Sequence, residues 1–397
     1  MVPSNRQLFL DHVGQTSGKP LLLEVDHAEG IYFYTPGGKR YIDLVSGVSV
    51  SSLGHGHPAV KEAVKQQVDK HMHLMVYGEL VQSPQVLYAK WLAGQLPTTL
   101  DTVYYVNSGS EAIEGAMKLA KRITGKPDIV AFNKAYHGST HGALSILGDK
   151  HFHTGFLPLL PGITHIDFND RKGLGEICES TAAVVIEPIQ AEAGIIEPEG
   201  DFLYHLRKRC DDTGTMLIFD EIQTGFGRTG SMFAFEHYNV VPDIICFAKS
   251  FGGGMPLGAF VSSNANMKHL TYNPALGHIT TFGGHPVSCA AGLAVQEFIH
   301  KNDLAGHALR MESLYREKMV HPEIKRVRGR GLFLAVEFSE RIDAGRLMQN
   351  IFENGIILDQ FLFCNNAFRI APPLIISKEE VIETADLLLD ALNRSLK

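Results

Sequence analysis

The sequence has few cysteines, no long apolar run and no excess of positive charge, and each absence excludes a class of protein. Its five cysteines are odd in number, far apart and without a CxxC pair, which argues against a disulfide framework or a thiolate metal cluster. No stretch approaches the roughly 18 apolar residues that span a bilayer, and MVPSNRQLFL lacks the basic and apolar regions of a secretion signal. We therefore expect a cytoplasmic protein without a membrane span.

Charge and histidine spacing exclude two further kinds of partner. The formal net charge is -7 and no long run of like charges occurs, so the chain offers no basic field to nucleic acid or anionic lipid. None of the 19 histidines lies in an HExxH pattern or has a cysteine partner, and we predict no metal site. Small molecules are the expected partners.

Short apolar runs alternate with segments of helical period along most of the chain, which is typical of a parallel sheet with crossover helices. The 397 residues, of which 45% are hydrophobic and 39 are glycines, fit an α/β protein with one large and one smaller domain. The clearest predicted strands are residues 103–106, 129–132, 183–186, 216–219 and 243–247.

The pattern changes along the chain and predicts three segments. Residues 51–290 carry the strand pattern and are expected to form the large domain. From about residue 291 the glycine and strand signals become sparse, and two helical stretches flank a strand near 331–338, which predicts a small domain over residues 291–397. Residues 1–50 contain the hairpin-like IYFYTPGGKRYIDL and are expected to join the small domain, because a hairpin needs a sheet on which to pack.

Polar side chains follow four of the predicted strands. Residues 107–110 (Asn-Ser-Gly-Ser) come after the first strand, Glu187 after the third, Asp220 after the fourth and Lys249 just beyond the fifth. In an open parallel sheet, ligands bind outside the carboxyl ends of the strands. We therefore expect these side chains to meet at one edge of the sheet and to form the active site.

Three of these positions suggest a chemistry by themselves. The turn that opens the helix of NSGSEAIEGAMKLA offers free amides to a phosphate, and Ser108 and Glu111 form a capping-box pattern. Asp220 at a strand end can pair with a protonated pyridine nitrogen. The same strand resembles the magnesium-binding strand of an ATPase, but the chain has no GxxxxGK[ST] loop. Desolvation of Lys249 would lower its pKa and free a neutral amine to act as nucleophile and base.

Motifs along almost the whole chain resemble, in the same order, those of the class-III aminotransferases. They include GVSVSSLGHGHP near the N-terminus and, further on, NSGSEAIEGAMKLA, YHG, EPIQAEAG, FDEIQTGFGRTG, AKSFGGGMPLGA, TTFGGHP and FRIAPPLII. The resemblance implies a pyridoxal-phosphate enzyme of fold type I, with a large domain built on a mostly parallel sheet and a smaller α+β domain. It also implies a homodimer whose active sites are shared at the subunit interface.

The resemblance assigns a role to individual residues. It implies that Lys249 forms an imine with pyridoxal phosphate and that Asp220 pairs with the ring nitrogen. Tyr136 would stack on the ring, Gln223 would bind its phenolic oxygen, and Thr281 of the neighbouring subunit would help to hold the phosphate. The other cofactor-binding residues that it implies are Ser108, Gly109, Ser110, His137 and Glu187.

A second set of implied residues binds the substrate and consists of Arg369, Glu192, Val48 and Ser139. Arg369 would bind a substrate carboxylate through two parallel hydrogen bonds, for which a planar guanidinium is suited. Glu192 would cover that arginine when no second carboxylate is present. Ser139 departs from the family pattern, because arginine usually follows the His-Gly pair and this chain has YHGST.

The implied reaction is a ping-pong transamination. The donor leaves its amino group on the cofactor, 2-oxoglutarate collects it, and Lys249 moves the proton. An acetylornithine- or ornithine-like ω-amino acid is the expected donor. Because Ser139 departs from the family pattern, 4-aminobutyrate, a diamine and a β-amino acid are alternative donors. A mutase or decarboxylase of the same fold is a further alternative. A non-enzymatic regulator is disfavoured because the chain retains the lysine and has no room for a DNA-binding segment.

Overall fold

The computed structural model of the chain describes residues 4–396. Fourteen strands in these residues form three sheets of seven, four and three strands. The strands are β1 His27–Glu29, β2 Tyr32–Tyr34, β3 Arg40–Asp43, β4 Thr102–Val106, β5 Asp128–Phe132, β6 Ile163–Ile166, β7 Thr181–Ile186, β8 Met216–Asp220, β9 Ile244–Phe247, β10 Gly258–Ser262, β11 Ile324–Arg330, β12 Phe333–Phe338, β13 Ile356–Ile357 and β14 Ala367–Ile370.

Helices cover the sheets. The α-helices are Asn5–His12, Pro58–Lys70, Ser83–Ala93, Gly109–Thr124, His141–Ser145, Phe202–Thr213, Asn264–Met267, Pro286–Lys301, Leu304–Lys318, Ala344–Glu353 and Lys378–Asn393. Short 3-10 turns are Lys150–Phe152, Gly173–Glu176, Ala234–His237, Lys249–Gly252 and Lys268–Leu270. Within residues 4–396, no helix combines the length and the apolar character needed to cross a bilayer.

The seven-stranded sheet has the order β4-β10-β9-β8-β7-β5-β6. All of its strands are parallel except β10, which is antiparallel to both β4 and β9. The five predicted strands and the α/β class are confirmed, whereas β6 and β10 were not predicted. Because β10 is reversed, β4 runs in the same direction as β9, and the carboxyl ends of all the predicted strands meet at one edge.

The two smaller sheets are built from the ends of the chain. β1, β2 and β3 form an antiparallel unit that includes the predicted hairpin, and β3 pairs in parallel with β13 through Ile42 and Ile356. This pairing supports the proposal that residues 1–50 join residues 291–397; the domain boundaries themselves stay a prediction. β11, β12 and β14 form the third, antiparallel sheet, in which only the middle strand was predicted.

The helix Gly109–Thr124 packs on the central sheet as its apolar period predicts. Its predicted core positions are all buried and are Ala112, Ile113, Ala116, Met117 and Ala120. The helix ends at Gly125, whose φ of 69° is the left-handed conformation that glycine adopts without strain. Packing by this face fixes the first turn of the helix at the carboxyl edge of β4.

The predicted capping box at the start of that helix is only half right. The Ser108 hydroxyl accepts a hydrogen bond from the Glu111 amide at 3.2 Å, as predicted. The Glu111 carboxylate, however, accepts from the backbone amide of Asn107 at 2.7 Å and from its side-chain amide at 2.9 Å, and not from Ser108. Two donors on Asn107 hold the carboxylate more firmly than one amide on Ser108 would.

Candidate active site

A cavity of about 380 Å³ opens at the carboxyl edge of the central sheet. Its wall is built from the turns that follow β4, β7, β8 and β9 and from the loop after β5. Nine of the residues predicted to bind the cofactor lie in this wall, namely Ser108, Gly109, Ser110, Tyr136, His137, Glu187, Asp220, Gln223 and Lys249. Residues more than 140 positions apart in sequence are therefore brought to one place.

Asp220 is the last residue of β8 and is 4% exposed. Its Oδ2 lies 2.7 Å from Nδ1 of His137, and its Oδ1 accepts the backbone amide of Ile222 at 3.0 Å. Each carboxylate oxygen can accept a second hydrogen bond, so both contacts leave capacity for a ligand. This arrangement fixes the carboxylate in the wall, where it can pair with a protonated ring nitrogen.

Glu187 follows β7 and has one oxygen without a partner. Its Oε1 accepts the Ala191 amide at 3.1 Å, while its buried Oε2 makes no hydrogen bond in the part of the chain that the structure describes. Burial, together with the negative charge of Asp220, raises the pKa of Glu187 well above its ordinary value. The raised pKa favours the protonated acid, which can donate a hydrogen bond into the cavity.

Lys249 lies just beyond β9 and has a φ of 52°, which is unusual for a residue with a side chain. Burial lowers the pKa of Lys249 to about 8, and the positive charge of Arg369 acts in the same direction. The carboxylates of Glu192, Asp220 and Glu187 oppose this shift without cancelling it. Near neutral pH about a tenth of the amine is therefore neutral, far more than for an ordinary lysine, and this fraction can act as nucleophile and base.

The start of the helix Gly109–Thr124 forms the other end of the cavity. The amides of Gly109 and Ser110 belong to the first turn, where no intrahelical acceptor exists, and the helix dipole adds partial positive charge. Gly138 closes over this turn: a Cβ on Gly138 would stand 2.0 Å from the Ser110 hydroxyl oxygen. Its φ of 127° also requires glycine. The turn and Gly138 together make a narrow anion site.

Arg369 on β14 is 1% exposed and is surrounded by acceptors. Its Nη2 lies 2.6 Å from Oε1 of Glu192, and its Nη1 donates to Oε1 of Gln223 at 3.0 Å. Asp359 adds a second carboxylate, with Oδ1 at 3.5 Å from Nε of Arg369. Because Gln223 also lines the cavity, the predicted substrate arginine is linked directly to the cofactor end of the site.

Glu192 stays ionised in this setting. Burial by itself raises the pKa of Glu192, but the charge of Arg369 and the Leu362 amide, which donates to Oε2 at 3.1 Å, outweigh it and hold the pKa below its ordinary value. Burial raises the pKa of Asp359, which sits against the same guanidinium. Arg369 therefore has one ionised partner in front of it and a second carboxyl group at its side.

Five predicted residues are not in the wall of this cavity in the described part of the chain. Arg369 and Glu192 reach it through their contacts with Gln223, and the other three are Val48, Ser139 and Thr281. Val48 belongs to a left-handed turn, Ser46–Ser49, and is 38% exposed beside Val50, which does line the cavity. Ser139 is exposed, and its hydroxyl lies 3.1 Å from that of Tyr136. Thr281 is exposed on the surface of its own chain. Their predicted roles stay predictions.

Some residues of the site were missed by reasoning from the sequence. Val50, Ile222 and Met255 complete the wall, and Asp359 joins Arg369. Ile222 lies so close to Gly109 that a Cβ on the glycine would stand 2.8 Å from the isoleucine Cδ1. Val50, Ile222 and Met255 lie within the motifs GVSVSSLGHGHP, FDEIQTGFGRTG and AKSFGGGMPLGA, which could have indicated them, whereas Asp359 lies outside every quoted motif.

The residues of the cavity fit pyridoxal phosphate. An amine with a lowered pKa can condense with its aldehyde, Asp220 can pair with its ring nitrogen, and the helix start can hold its phosphate. Tyr136 stands in the wall beside His137, where a ring can stack, and the unpartnered Oε2 of Glu187 offers a further hydrogen bond. Fold and site together define a pyridoxal-phosphate-dependent enzyme.

Comparison with known proteins gives the family. The model of the family "Aminotransferase class-III" matches residues 13–392, and the chain belongs to this family. It is 40% identical to the acetylornithine aminotransferase of Methanopyrus kandleri over 92% of this chain and 93% of that protein. It is 39% identical to the putrescine aminotransferase of Pectobacterium atrosepticum over 90% of this chain and 80% of that protein.

A solved structure with the same fold is the ornithine aminotransferase of Toxoplasma gondii, in which pyridoxal phosphate partly occupies the active site. The TM-score is 0.90 at 29% identity, over 97% of this chain and 92% of that chain. The chain is therefore an aminotransferase of fold type I. Its cofactor is pyridoxal phosphate, and its substrates are an amino donor and a keto-acid acceptor.

Replacement of Lys249 by methionine is expected to stabilise the cofactor-free protein. The pKa of Lys249 falls from 10.5 to about 8 on folding, so the folded chain binds fewer protons and the free energy of unfolding rises with pH between these values. Below pH 8 the buried ammonium costs about 3 kcal/mol. Urea unfolding should show Lys249→Met more stable at pH 7, by an amount that shrinks towards pH 10.5. An advantage that does not change with pH would contradict this assignment.

Proposed function

We propose that the chain transfers the terminal amino group of an ω-amino acid or amine to 2-oxoglutarate in a ping-pong reaction with Lys249 as the base. The observation that carries the proposal is the buried Lys249 amine, with its pKa lowered to about 8, opposite Asp220 in one cavity. When bound, the cofactor supplies an electron sink for a substrate carbanion. Lys249 would take the proton from the substrate carbon and return it to the cofactor carbon that carried the aldehyde.

The remaining wall residues hold and orient the cofactor in this proposal. Asp220, fixed by His137, keeps the ring nitrogen protonated, and Tyr136 stacks on the ring. Ser108, Gly109 and Ser110 bind the phosphate through the helix start. Glu187 and Gln223 donate hydrogen bonds to the ring substituents. The Oε2 of Glu187, which has no partner in the described residues, and the second amide hydrogen of Gln223, whose Nε2 donates to Glu192 at 3.4 Å, are available for this.

Arg369 and Glu192 let one pocket accept two kinds of substrate. With Glu192 at 2.6 Å, the guanidinium is neutralised and the pocket suits a donor without a second carboxylate. A dicarboxylate acceptor such as 2-oxoglutarate displaces Glu192 and forms a bidentate ion pair with Arg369 through its own second carboxylate. The named activities of the acetylornithine and ornithine relatives support an ω-amino acid donor of this kind.

A diamine is the second candidate donor, and Ser139 is the observation that favours it. Ser139 replaces the arginine that would bind a donor carboxylate, and it offers a neutral hydroxyl beside Tyr136. The activity named for the putrescine relative agrees with this alternative. 4-Aminobutyrate and β-amino acids remain candidates, with their carboxylate held elsewhere and Val48 contributing to the pocket.

We also propose that the chain forms a homodimer with shared active sites. Large apolar side chains are exposed in two segments, 72–81 and 276–282, and they include Met72, Leu74, Met75, Leu80, Val81, Leu276, Ile279 and Phe282. Val81 is 93% exposed. Contiguous apolar surface of this kind marks a protein interface. Thr281 lies in the second segment, from which it can reach the phosphate of the partner's cofactor.

Lys249→Ala should abolish the proposed chemistry. Without the amine, the purified protein should lack the yellow absorption band of the lysine linkage, and borohydride should trap no cofactor on the chain. Turnover should fall by about four orders of magnitude or more, since both nucleophile and base are lost. Lys126→Ala is a matched control, because Lys126, like Lys249, is partly buried as a whole residue, but its amine binds the carbonyls of Thr213 and Gly214. Amino transfer that survives Lys249→Ala would refute the assignment.

Glu192→Gln should separate the two half-reactions. The amide keeps the shape of the side chain but leaves the charge of Arg369 uncompensated, so donors without a second carboxylate should react about tenfold more slowly or worse. Glutamate, which replaces Glu192 with its own carboxylate, should react within about threefold of the wild-type rate.

The measurement is bleaching of the yellow band by single amines in the absence of an acceptor. The panel is N-acetylornithine, ornithine, 4-aminobutyrate, putrescine and β-alanine, with glutamate as the reference. The fastest donor identifies the substrate class. If Glu192→Gln slows glutamate as much as the other donors, a substrate carboxylate does not displace Glu192 from Arg369. If the wild-type protein reacts with none of the amines in the panel, the ω-amine proposal is wrong.

Val81→Asp should weaken the proposed dimer. A charge in an apolar interface is desolvated without a partner, so sedimentation should show monomers at micromolar concentration. Loss of the partner's Thr281 should then weaken cofactor retention during dialysis. Val320→Asp is the matched control, because Val320 is also strongly exposed, at 73%, but lies outside both apolar segments. A wild-type chain that sediments as a monomer would rule the dimer out.

A further inference from the structure

The backbone at Lys249 adopts a conformation that its own sequence does not favour. Lys249 has a φ of 52° and opens the 3-10 turn Lys249–Gly252 directly after the extended residue Ala248. A side chain at positive φ is strained, and such strain persists only where the surroundings hold the backbone in place. Groups from other segments must therefore hold this turn in place.

Three buried side chains from three different segments bond to the turn. The Ser52 hydroxyl donates to the Ser250 hydroxyl oxygen at 2.8 Å, and Nε2 of Gln296 donates to the Ser250 carbonyl at 2.7 Å. The Tyr88 hydroxyl donates to the Phe251 carbonyl at 2.7 Å. Ser52, Tyr88 and Gln296 are 2%, 0% and 0% exposed, so water does not compete for these bonds.

Tyr88 and Gln296 reach the turn through close helix packing. The ring of Tyr88 stacks on that of Phe251 with centroids 4.6 Å apart. On the helix that carries Gln296, a Cβ at Gly292 would stand 2.3 Å from the Phe251 carbonyl oxygen and 2.7 Å from the Tyr88 ring. Gly292 thus lets the helix approach, and Gln296, one turn further along the same face, meets the Ser250 carbonyl.

Ser52 connects the turn to the substrate end of the site. Its carbonyl accepts the Leu374 amide at 2.8 Å, in the segment that follows Arg369. Just before it, the Ser46 hydroxyl donates to the Ala371 carbonyl at 2.7 Å. One short segment therefore bonds both to the lysine turn and to the chain beyond the arginine.

We propose that Ser52, Tyr88 and Gln296 are positioning residues that fix the turn of Lys249 and thereby the place of its amine in the cavity. The inference rests on the proposed role of Lys249 as nucleophile and base. None of the three lies in the cavity wall in the described residues, so they act through the backbone of Ser250 and Phe251. Their hydrogen bonds to the turn, and not only their packing against it, fix the position of the amine.

Displacement of the amine would change its charged surroundings. The groups that set the charge at Lys249 are Arg369, Glu192, Asp220 and Glu187. These belong to different strands and loops and do not move with the turn. A looser turn therefore changes the distances from the amine to these groups and shifts the pH at which the lysine linkage titrates.

The test removes a hydroxyl or an amide group that bonds to the lysine turn. Its effect is compared with that of removing a buried hydroxyl group far from the turn. Tyr88→Phe keeps the ring that stacks on Phe251, and Gln296→Met keeps the length of the side chain. Tyr315→Phe is the matched control, because Tyr315 is also 0% exposed and its hydroxyl bonds to Thr384, away from the cavity. All three variants are expected to lower the melting temperature by similar amounts.

Two readouts on the holoenzyme separate positioning from stability. In Tyr88→Phe and Gln296→Met, amide hydrogen exchange in the peptide that covers residues 249–252 should become about threefold to tenfold faster, as the loss of one hydrogen bond implies. The pH midpoint of the yellow absorption band should also shift. Tyr315→Phe should leave both values at those of the wild type.

Ser52 and Ser250 provide an independent check. Ser52→Ala and Ser250→Ala remove the same hydrogen bond from either side, so each should shift the pH midpoint alike and the double variant should shift it no further. Additive shifts, or wild-type exchange and midpoint in the folded Tyr88 and Gln296 variants, would overturn the proposal. A wild-type protein in which borohydride traps no cofactor on Lys249 would instead refute the proposed role of Lys249.

Discussion

Burial of the Lys249 amine is the constraint on which the rest of the site depends. Removal from water lowers the pKa of Lys249 to about 8. The acidic side chains of Glu192, Asp220 and Glu187 act in the opposite direction but do not restore the ordinary value. A more exposed lysine would stay charged and inert, whereas a carboxylate in direct contact would lock it as an ammonium. The end of β9, the turn Lys249–Gly252 and the hydrogen bonds to that turn all keep the amine buried, with a lowered pKa.

The carboxyl groups of the site differ in their surroundings and therefore in what they can do. Asp220 is held by His137 and a backbone amide and can face a cation. Glu187 is buried, one of its oxygens has no partner among residues 4–396, and its pKa is raised, so it is suited to donate a hydrogen bond. Glu192 is held ionised by Arg369 and a backbone amide. One type of functional group thus supports three tasks, because burial and hydrogen-bond partners differ from one carboxyl group to the next.

The Arg369 pocket ties substrate choice to the packing of the two smaller sheets. Arg369 lies on β14 of the three-stranded sheet, and the segment beyond it bonds to residues 44–52, which follow β3 of the four-stranded sheet. Its guanidinium meets Gln223 and Glu192, which belong to loops of the central sheet. The position of the arginine, of Glu192 and of the cofactor end therefore depends on contacts among all three sheets.

The sequence by itself determined the mostly parallel sheet and the placement of Lys249 and Asp220 at strand ends along one edge, because apolar period and strand ends are local properties of the chain. Only the tertiary structure decided which side chains meet. Glu111 bonds to Asn107 and not to Ser108, Asp359 stands beside Arg369, and Tyr88 and Gln296 reach the lysine turn. Such contacts join residues up to 200 positions apart and depend on the packing of whole helices and sheets, which no local pattern of residues encodes.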